Sequence, residues 1–500
     1  MTWKTYPVTF AGGLKDDSDP LYLAAEMPGA ARELTNYEPS IRGGYSRIQG
    51  FGKFDTSTVT GSGVITGVFV FGGDVIVQRA GDFYKSGGSG WTKFNTDTRN
   101  TTTFARGVTY NWGGEQRIML CDGVNQPAFY NGTTYTVSTV GNYSAIKHIS
   151  EYKNHFVFAK GNIVYISDPN DEFGVTSGSV FNMGDEVTGL KVFRDALIVF
   201  GQKSIQRITG KNSTDFAIST VTANLGCLEP DSIQEVAGDL VFLAPDGLRP
   251  FSATEKNEDF ELASISRDIQ PLLDNIRDNF SSLCSVVIRS KNQYRLLSYT
   301  NGVTSAAHEG VIGVTTPNVA WQWSKIKGFK ANCADSGYDS SGNEVVVFAN
   351  DDGYVYRAEQ GSNLDGSNIE AIFATPYFIY DDAELRKTIY KSRIFVDTTG
   401  SFSLTLGASF DWGEATLTPS DVIVSETQSG VALYNNSGTK YGTSGNGGSN
   451  LVYGADPDPV KEAELTGSGF SHSLRFVTSD TNPAFTMKGM TLQYSLQGRN

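Results

Sequence analysis

The stretch "DALIVFGQKSIQRIT" (195–209) reads as an apolar run, a polar turn around Gly201–Ser204, and a second short run. Short apolar runs bounded by turn residues are strand signals, and so close a turn between two of them is a hairpin. The pattern returns in "GDVIVQRAGDFYKS" (73–86), "EQRIMLCDGVNQPAFYN" (115–131), "NHFVFAKGNIVYIS" (154–167), "GDLVFLAPDGLRPFS" (238–252), "NQYRLLSYTNG" (292–302) and "NEVVVFANDDGYVYRA" (343–358). Val75, Ile118, Val157, Ile198, Val241, Tyr294 and Val346 mark equivalent centres, separated by steps of 39 to 53 residues. Most units are preceded by one more apolar run, such as "ITGVFVF" (65–71) or "VTGLKVF" (187–193). Three to four short strands per unit, repeating in this way, describe a propeller blade. A blade cannot bury both faces alone and must stack on its neighbours around an axis. A tandem of β-sandwiches shares the periodicity, because a period does not encode closure into a ring.

Composition agrees with β-structure. The 500 residues are 39% hydrophobic and 12% aromatic, with 55 glycines, enough for a large core and many turns. The formal net charge of −14 argues against wrapping nucleic acid by phosphate neutralisation. The opening "MTWKTYPVTFAGGLKDDSDP" lacks a charged-then-apolar signal pattern, and no apolar run is long enough for a spanning helix, so no membrane anchor is expected. Cys121, Cys227, Cys284 and Cys333 lie far apart with no CxxC pair, which predicts free buried thiols.

The segment "SISRDIQPLLDNIRDNFSSL" (264–283) breaks the repeat. Ile265, Ile269, Leu272, Leu273, Ile276 and Phe280 share one helical face, and Pro271 suits the first turn of a helix beginning near Gln270. Beyond residue 365 the pattern becomes long alternating strands, interrupted by the Gly/Ser/Asn-rich loop 435–450. The expected architecture is mainly β: a propeller of about seven blades over 61–365 with one inserted helix. A C-terminal β-domain or platform spans 366–500, and an arm at 1–60 joins that platform.

Several segments resemble the tail hub or nozzle proteins of short-tailed bacteriophages, also called packaged-DNA stabilisation proteins and similar to tail tubular protein B. They are "NYEPSIRGGYSRIQGFGKF" (36–54), the run from "FRDALIVF" to "GLRPFS" (193–252), "ISRDIQPLLDNI" (265–276), "ATPYFIYDDAELRKTIYKSRIFVDTTG" (374–400) and "FTMKGMTLQYSLQ" (485–497). The resemblance implies a structural virion protein of the tail, assembled in the host cytoplasm as a homo-hexameric ring below the portal and adaptor. Such a ring continues the DNA channel, retains packaged DNA and opens on infection. Implied partners are further copies of the chain, adaptor and portal proteins, tail fibre or needle proteins, and double-stranded DNA passing without specific binding.

Within the first of those segments, Pro39 restrains φ and Gly43–Gly44 permit a sharp turn, after which Tyr45 and Arg47 alternate with Ser46 and Ile48. Arg and Tyr are favoured interface anchors, so Arg42, Tyr45 and Arg47 are expected at or near a subunit boundary; the competing reading pairs Arg47 with an acid of its own chain. An acidic wall would let DNA slide without sticking, and the acid-rich turns nominate Asp351, Asp352, Asp171 and Glu172 for it.

Catalytic chemistry is not visible. His148, His155, His308 and His472 are too scattered for a metal triad or a Ser-His-Asp set, and no nucleotide-binding or nucleophile-elbow motif appears. No enzyme activity, cofactor or metal is expected. "DPNDEFG" (168–174) and "ANDDGY" (349–354) lack the spacing of a calcium loop and read as turns. The alternative function is a glycan-binding or glycan-cleaving propeller, suggested by "SFDWGEAT" (409–416), which matches part of a sialidase-type Asp box but has Thr416 where an aromatic belongs.

Overall fold

The computed structural model describes residues 3–212, 214–256, 264–316, 319–380, 382–398, 400, 402–413, 422–426 and 460–497; the loop at 435–450 lies outside them. The chain forms two compact units, one of residues 53–321 with 327–358, the other of 1–52, 322–326 and 359–500.

The larger unit is the propeller. Its first four blades have four antiparallel strands each: Ile65–Phe71, Asp74–Arg79, Asp82–Ser86 and Trp91–Lys93; Arg106–Trp112, Glu115–Cys121, Ala128–Tyr130 and Tyr135–Val137; His148–Tyr152, His155–Lys160, Ile163–Ser167 and Val175–Asn182; Val187–Phe193, Ala196–Gly201, Ile205–Thr209 and Ala217–Thr222. The fifth blade is Gln234–Val236, Asp239–Ala244 and Gly247–Pro250. The sixth contains Ser282–Ile288, Gln293–Tyr299 and Glu309–Thr316, and the seventh Cys333–Tyr338, Glu344–Ala349 and Val355–Ala358. Every centre read from the repeat, from Val75 to Val346, falls in the second strand of its blade.

Closure into a ring decides between propeller and sandwich tandem. The first strands of consecutive blades touch in order, except that the fourth blade's meets the fifth through the short turn Pro230–Ser232, and that of the seventh blade touches that of the first. Cores sit between blades rather than within them, because each twisted sheet buries its apolar faces on its neighbours. Val68, Val75 and Val77 of the first blade share one cluster with Val345, Val347 and Ala349 of the last. Phe69, Ile76, Ile118 and Leu120 fill the next gap, then Met119, Phe156 and Phe158, then Val157, Val164, Leu197 and Val199, then Phe200, Phe242 and Phe251. The chain entering the unit lies along the last blade: Phe54 N–H donates to Val355 O at 2.8 Å and Val59 N–H to Gly353 O at 2.9 Å.

The inserted helix runs Gln270–Asn279 with Pro271 in its first turn and buries Leu272, Leu273 and Ile276. Two shorter helices, Pro20–Glu26 and Phe251–Lys256, accompany it among the described residues.

The smaller unit has two sheets. One orders Tyr37–Pro39, Tyr45–Arg47, Phe485–Leu496, Lys387–Thr398 and Val460–Gly469, with Trp3–Thr9 also paired to Phe485–Leu496. The other includes Glu33–Thr35, Ile369–Ala374, His472–Asp480, Phe402–Phe410 and Val422–Glu426. Phe10, Tyr45, Phe373 and Phe476 meet at centroid distances from 4.8 to 6.1 Å and form its aromatic core.

Candidate functional site

The propeller axis holds a chamber of about 370 Å³, lined by residues of all seven blades, the size of a small-molecule pocket. Its walls are close-fitting: a Cβ added at Gly189 would stand 2.4 Å from Ile233 Cδ1, so a larger residue there would require the Ile233 side chain to turn away.

Charged side chains line this space. Arg106, the first residue of its strand, forks onto Asp231: Nε donates to Oδ1 at 3.1 Å and a terminal nitrogen to Oδ2 at 2.8 Å. Arg106 belongs to the second blade and Asp231 to the short turn ahead of the fifth, so this pair spans the chamber. Burial pulls the guanidinium pKa down, but Asp231 outweighs it and the net shift is upward. His148, at the start of the third blade, is held well below the ordinary imidazole value, first by burial and then by the Arg106 charge, and is neutral near pH 7. Ser285 Oγ donates to Asp231 O at 2.7 Å, Gln234 Nε2 to Ser285 O at 3.1 Å, and Asn332 Nδ2 to Ile65 O at 2.8 Å. These bonds tie neighbouring blades together at the axis.

Further along the strands stand Glu151, Lys191 and Asp335. Glu151 accepts from Asn154 N–H at 3.0 Å, and Asp335 accepts from Val70 N–H at 2.8 Å. Burial pushes the Asp335 carboxyl up to about 6, against the pull of those backbone donors, and lowers the Lys191 ammonium. A carboxyl whose pKa is raised by folding favours the fold most below its unfolded value near 4 and loses that contribution as pH rises through about 6. Asp335→Asn is therefore expected to gain about 1–2 kcal/mol over the parent at pH 7.5 and almost nothing at pH 4, read from urea unfolding at both. An equal difference at both pH values would contradict this.

Among the described residues no group of three or more His, Cys, Asp or Glu side chains is placed to share a metal ion. Cys121, Cys227 and Cys284 are buried free thiols and Cys333 is partly buried. Burial raises Cys121 and Cys227 to about 12, so they stay protonated.

The residues nominated from sequence lie elsewhere. Gly43 and Gly44 take φ of 88° and 86° in a hairpin that pairs Tyr37 with Arg47 and Pro39 with Tyr45. A Cβ on Gly44 would meet Met487 O at 2.4 Å, so the turn requires glycine twice over. Tyr45 is buried, donating to Gly29 O at 2.9 Å and accepting from Gly13 N–H at 3.1 Å. Arg47 is buried too, bonded to Asp480 and to Asn482 O of its own chain. Arg42, at the hairpin tip, is exposed.

Asp351 pairs with Lys330 at 2.6 Å, and Asp352 accepts from Tyr356 OH at 2.6 Å, both between strands of the seventh blade. Asp171 accepts from Phe173 and Gly174 N–H at 3.0 and 2.9 Å, while Glu172 bonds Arg117 and accepts from Tyr110 OH at 3.0 Å. None of the four lines the axial chamber. Asp411 closes a turn by accepting from Phe470 and Ser471 N–H at 2.6 and 3.2 Å; Thr416 lies outside the described residues.

Sequence reading overlooked Arg106, Lys191, Asp231 and Asp335. A signal was present for three of them: each is a charge in the first strand of a unit, the one nearest the axis.

Residues 52–252 match the family described as bacteriophage P22 Gp10, beta-propeller. Among curated proteins none matches the chain. A crystal structure of the computationally designed Ika8 protein aligns over 61% of this chain and 99% of its own, at 12% identity and a TM-score of 0.34.

Proposed function

We propose, for a chain whose residues 52–252 belong to the phage stabilisation family and which is a structural component of a short-tailed bacteriophage tail, that it builds the nozzle ring. In this reading several copies, six by the family resemblance, surround the DNA path, retain packaged DNA and open on infection. The ring contacts adaptor and portal on one side and fibre or needle proteins on the other, and it catalyses nothing.

The family match over the propeller carries the reading. The axial chamber supports one detail of this reading: at about 370 Å³ and crossed by the Arg106–Asp231 pair it is far smaller than a duplex, so the proposed DNA path runs between copies. The acids proposed for that wall are Asp171 and Asp352, with Asp351 and Glu172 already committed to Lys330 and Arg117. Arg42 is proposed at the subunit boundary, presented by the hairpin that buried Tyr45 and Arg47 hold in place.

Native mass spectrometry of the purified chain tests the assembly. A discrete hexamer is expected, and a monomer at every concentration would overturn the ring. Arg42→Glu is expected to lower the ring fraction several-fold with an unchanged monomer fold; an undiminished ring fraction would remove Arg42 from the boundary.

A further inference from the structure

Asn–Gly pairs occur at three places in the chain, 131–132, 301–302 and 446–447, the last outside the described residues. The side-chain amide of an asparagine ahead of glycine is labile, because glycine has no side chain to keep its backbone nitrogen away from that amide. The two described pairs share this chemistry and have opposite surroundings. Asn131 is pinned: its Oδ1 accepts from Thr133 and Thr134 N–H at 3.0 and 2.7 Å, and its Nδ2 donates to Glu115 Oε1 at 2.8 Å. Asn301 is exposed in the loop between Gln293–Tyr299 and Glu309–Thr316, and its side chain bonds no described residue. Its turn is closed by one long bond, Val303 N–H to Thr300 O at 3.4 Å. Space around the glycine is equal, for a Cβ at either Gly132 or Gly302 would meet nothing within 4 Å, so the difference lies in the hold on the asparagine amide. Gly302 N–H donates to the Asp351 carboxylate, which also pairs with Lys330 at 2.6 Å.

We propose that Asn301 is a site of spontaneous covalent modification, at which the Gly302 nitrogen displaces ammonia from the Asn301 side chain and water then opens the ring to leave aspartate or isoaspartate at position 301. In the first step Gly302 N bonds to Asn301 Cγ, the bond from Cγ to Nδ2 breaks, and ammonia leaves with the proton that Gly302 loses. The product is a five-membered cyclic imide. In the second step one water adds to either imide carbonyl and the C–N bond there breaks. The sum is amide plus water giving carboxyl plus ammonia, with no oxidant or reductant.

Asp351 is the positioning residue. Its carboxylate draws on the Gly302 N–H and so makes that nitrogen a better nucleophile. The new carboxylate arises next in the chain to the residue that contacts Asp351, so each conversion adds a negative charge close to the Asp351–Lys330 pair.

The full chain is held at pH 8 and 37 °C, and samples are digested and mapped by mass spectrometry with fragmentation that separates aspartate from isoaspartate. Position 301 is expected to convert on the order of ten times faster than position 131 in the folded chain, since only the unpinned amide can reach the attacking geometry. In urea, where the fold no longer holds either amide, the two rates are expected to agree within about twofold. Asp351→Asn is expected to slow position 301 several-fold and to leave position 131 unchanged, which also reports an intact fold. Conversion at 301 no faster than at 131 in the folded chain overturns the site. A ratio that persists in urea is an effect of sequence alone and overturns the structural account. A rate at 301 that is unchanged or higher in Asp351→Asn overturns the part assigned to Asp351.

Discussion

Replacing Arg47 by Met is expected to destabilise the smaller unit by about 3–5 kcal/mol, because it strands a partly buried carboxylate that Arg47 now neutralises. The Arg47 side chain is fully buried and that of Asp480 is 20% exposed. The guanidinium bonds Asp480 and the Asn482 carbonyl and lies 5.9 Å from the Phe485 ring centroid. Without it Asp480 keeps only Thr478 Oγ1 at 3.2 Å and the Asn482 backbone and side-chain N–H groups, each at 3.0 Å. Lysine is a poor rescue, since it offers a point charge where two differently placed acceptors need a fork. The pH dependence provides a second readout. Burial pushes the Asp480 carboxyl up, but the Arg47 hydrogen bond and charge outweigh it, so its net shift is downward. A depressed carboxyl stabilises the fold above its unfolded value and loses that contribution as pH falls through its folded value. The parent is therefore expected to lose more stability than Arg47→Met between pH 5 and pH 2. An unfolding free energy within about 0.5 kcal/mol of the parent's at pH 7, from urea titration, would refute the account.

The second large effect concerns the axis. Arg106→Met is expected to cost the propeller about 2 kcal/mol, less than the Arg47 change because the two side chains of this pair are 21% and 29% exposed. The loss comes from Asp231, which would keep its place in the chamber wall without its fork. The double variant Arg106→Met/Asp231→Asn is expected to recover more than half of it, since it removes the charge that the single variant strands. Denaturant unfolding of the single and double variants checks both statements; a double variant as unstable as the sum of its parts would show that the pair is not coupled.

Read alone, the sequence determined which segments become strands, where the helix begins and where the chain must turn. The alternation of apolar and polar residues, the proline at 271 and the glycines at 43–44 act on neighbours within a few residues, where sterics and local hydrogen bonding already choose the conformation. That is why each repeat centre fell in the second strand of a blade and the helix starts at Gln270. Ring closure, the axial chamber and the partners of buried charges were decided only by tertiary structure. Arg106 and Asp231 are 125 residues apart, and Arg47 and Asp480 are 433 apart. No local pattern constrains contacts at such separations. A charge inside an apolar strand looks the same in sequence whether it faces solvent or a crowded axis. Lys191 is the one charge in the apolar run "VTGLKVF". Only the closing of seven blades around it turns that face inward and leaves its amine in a chamber with Asp335.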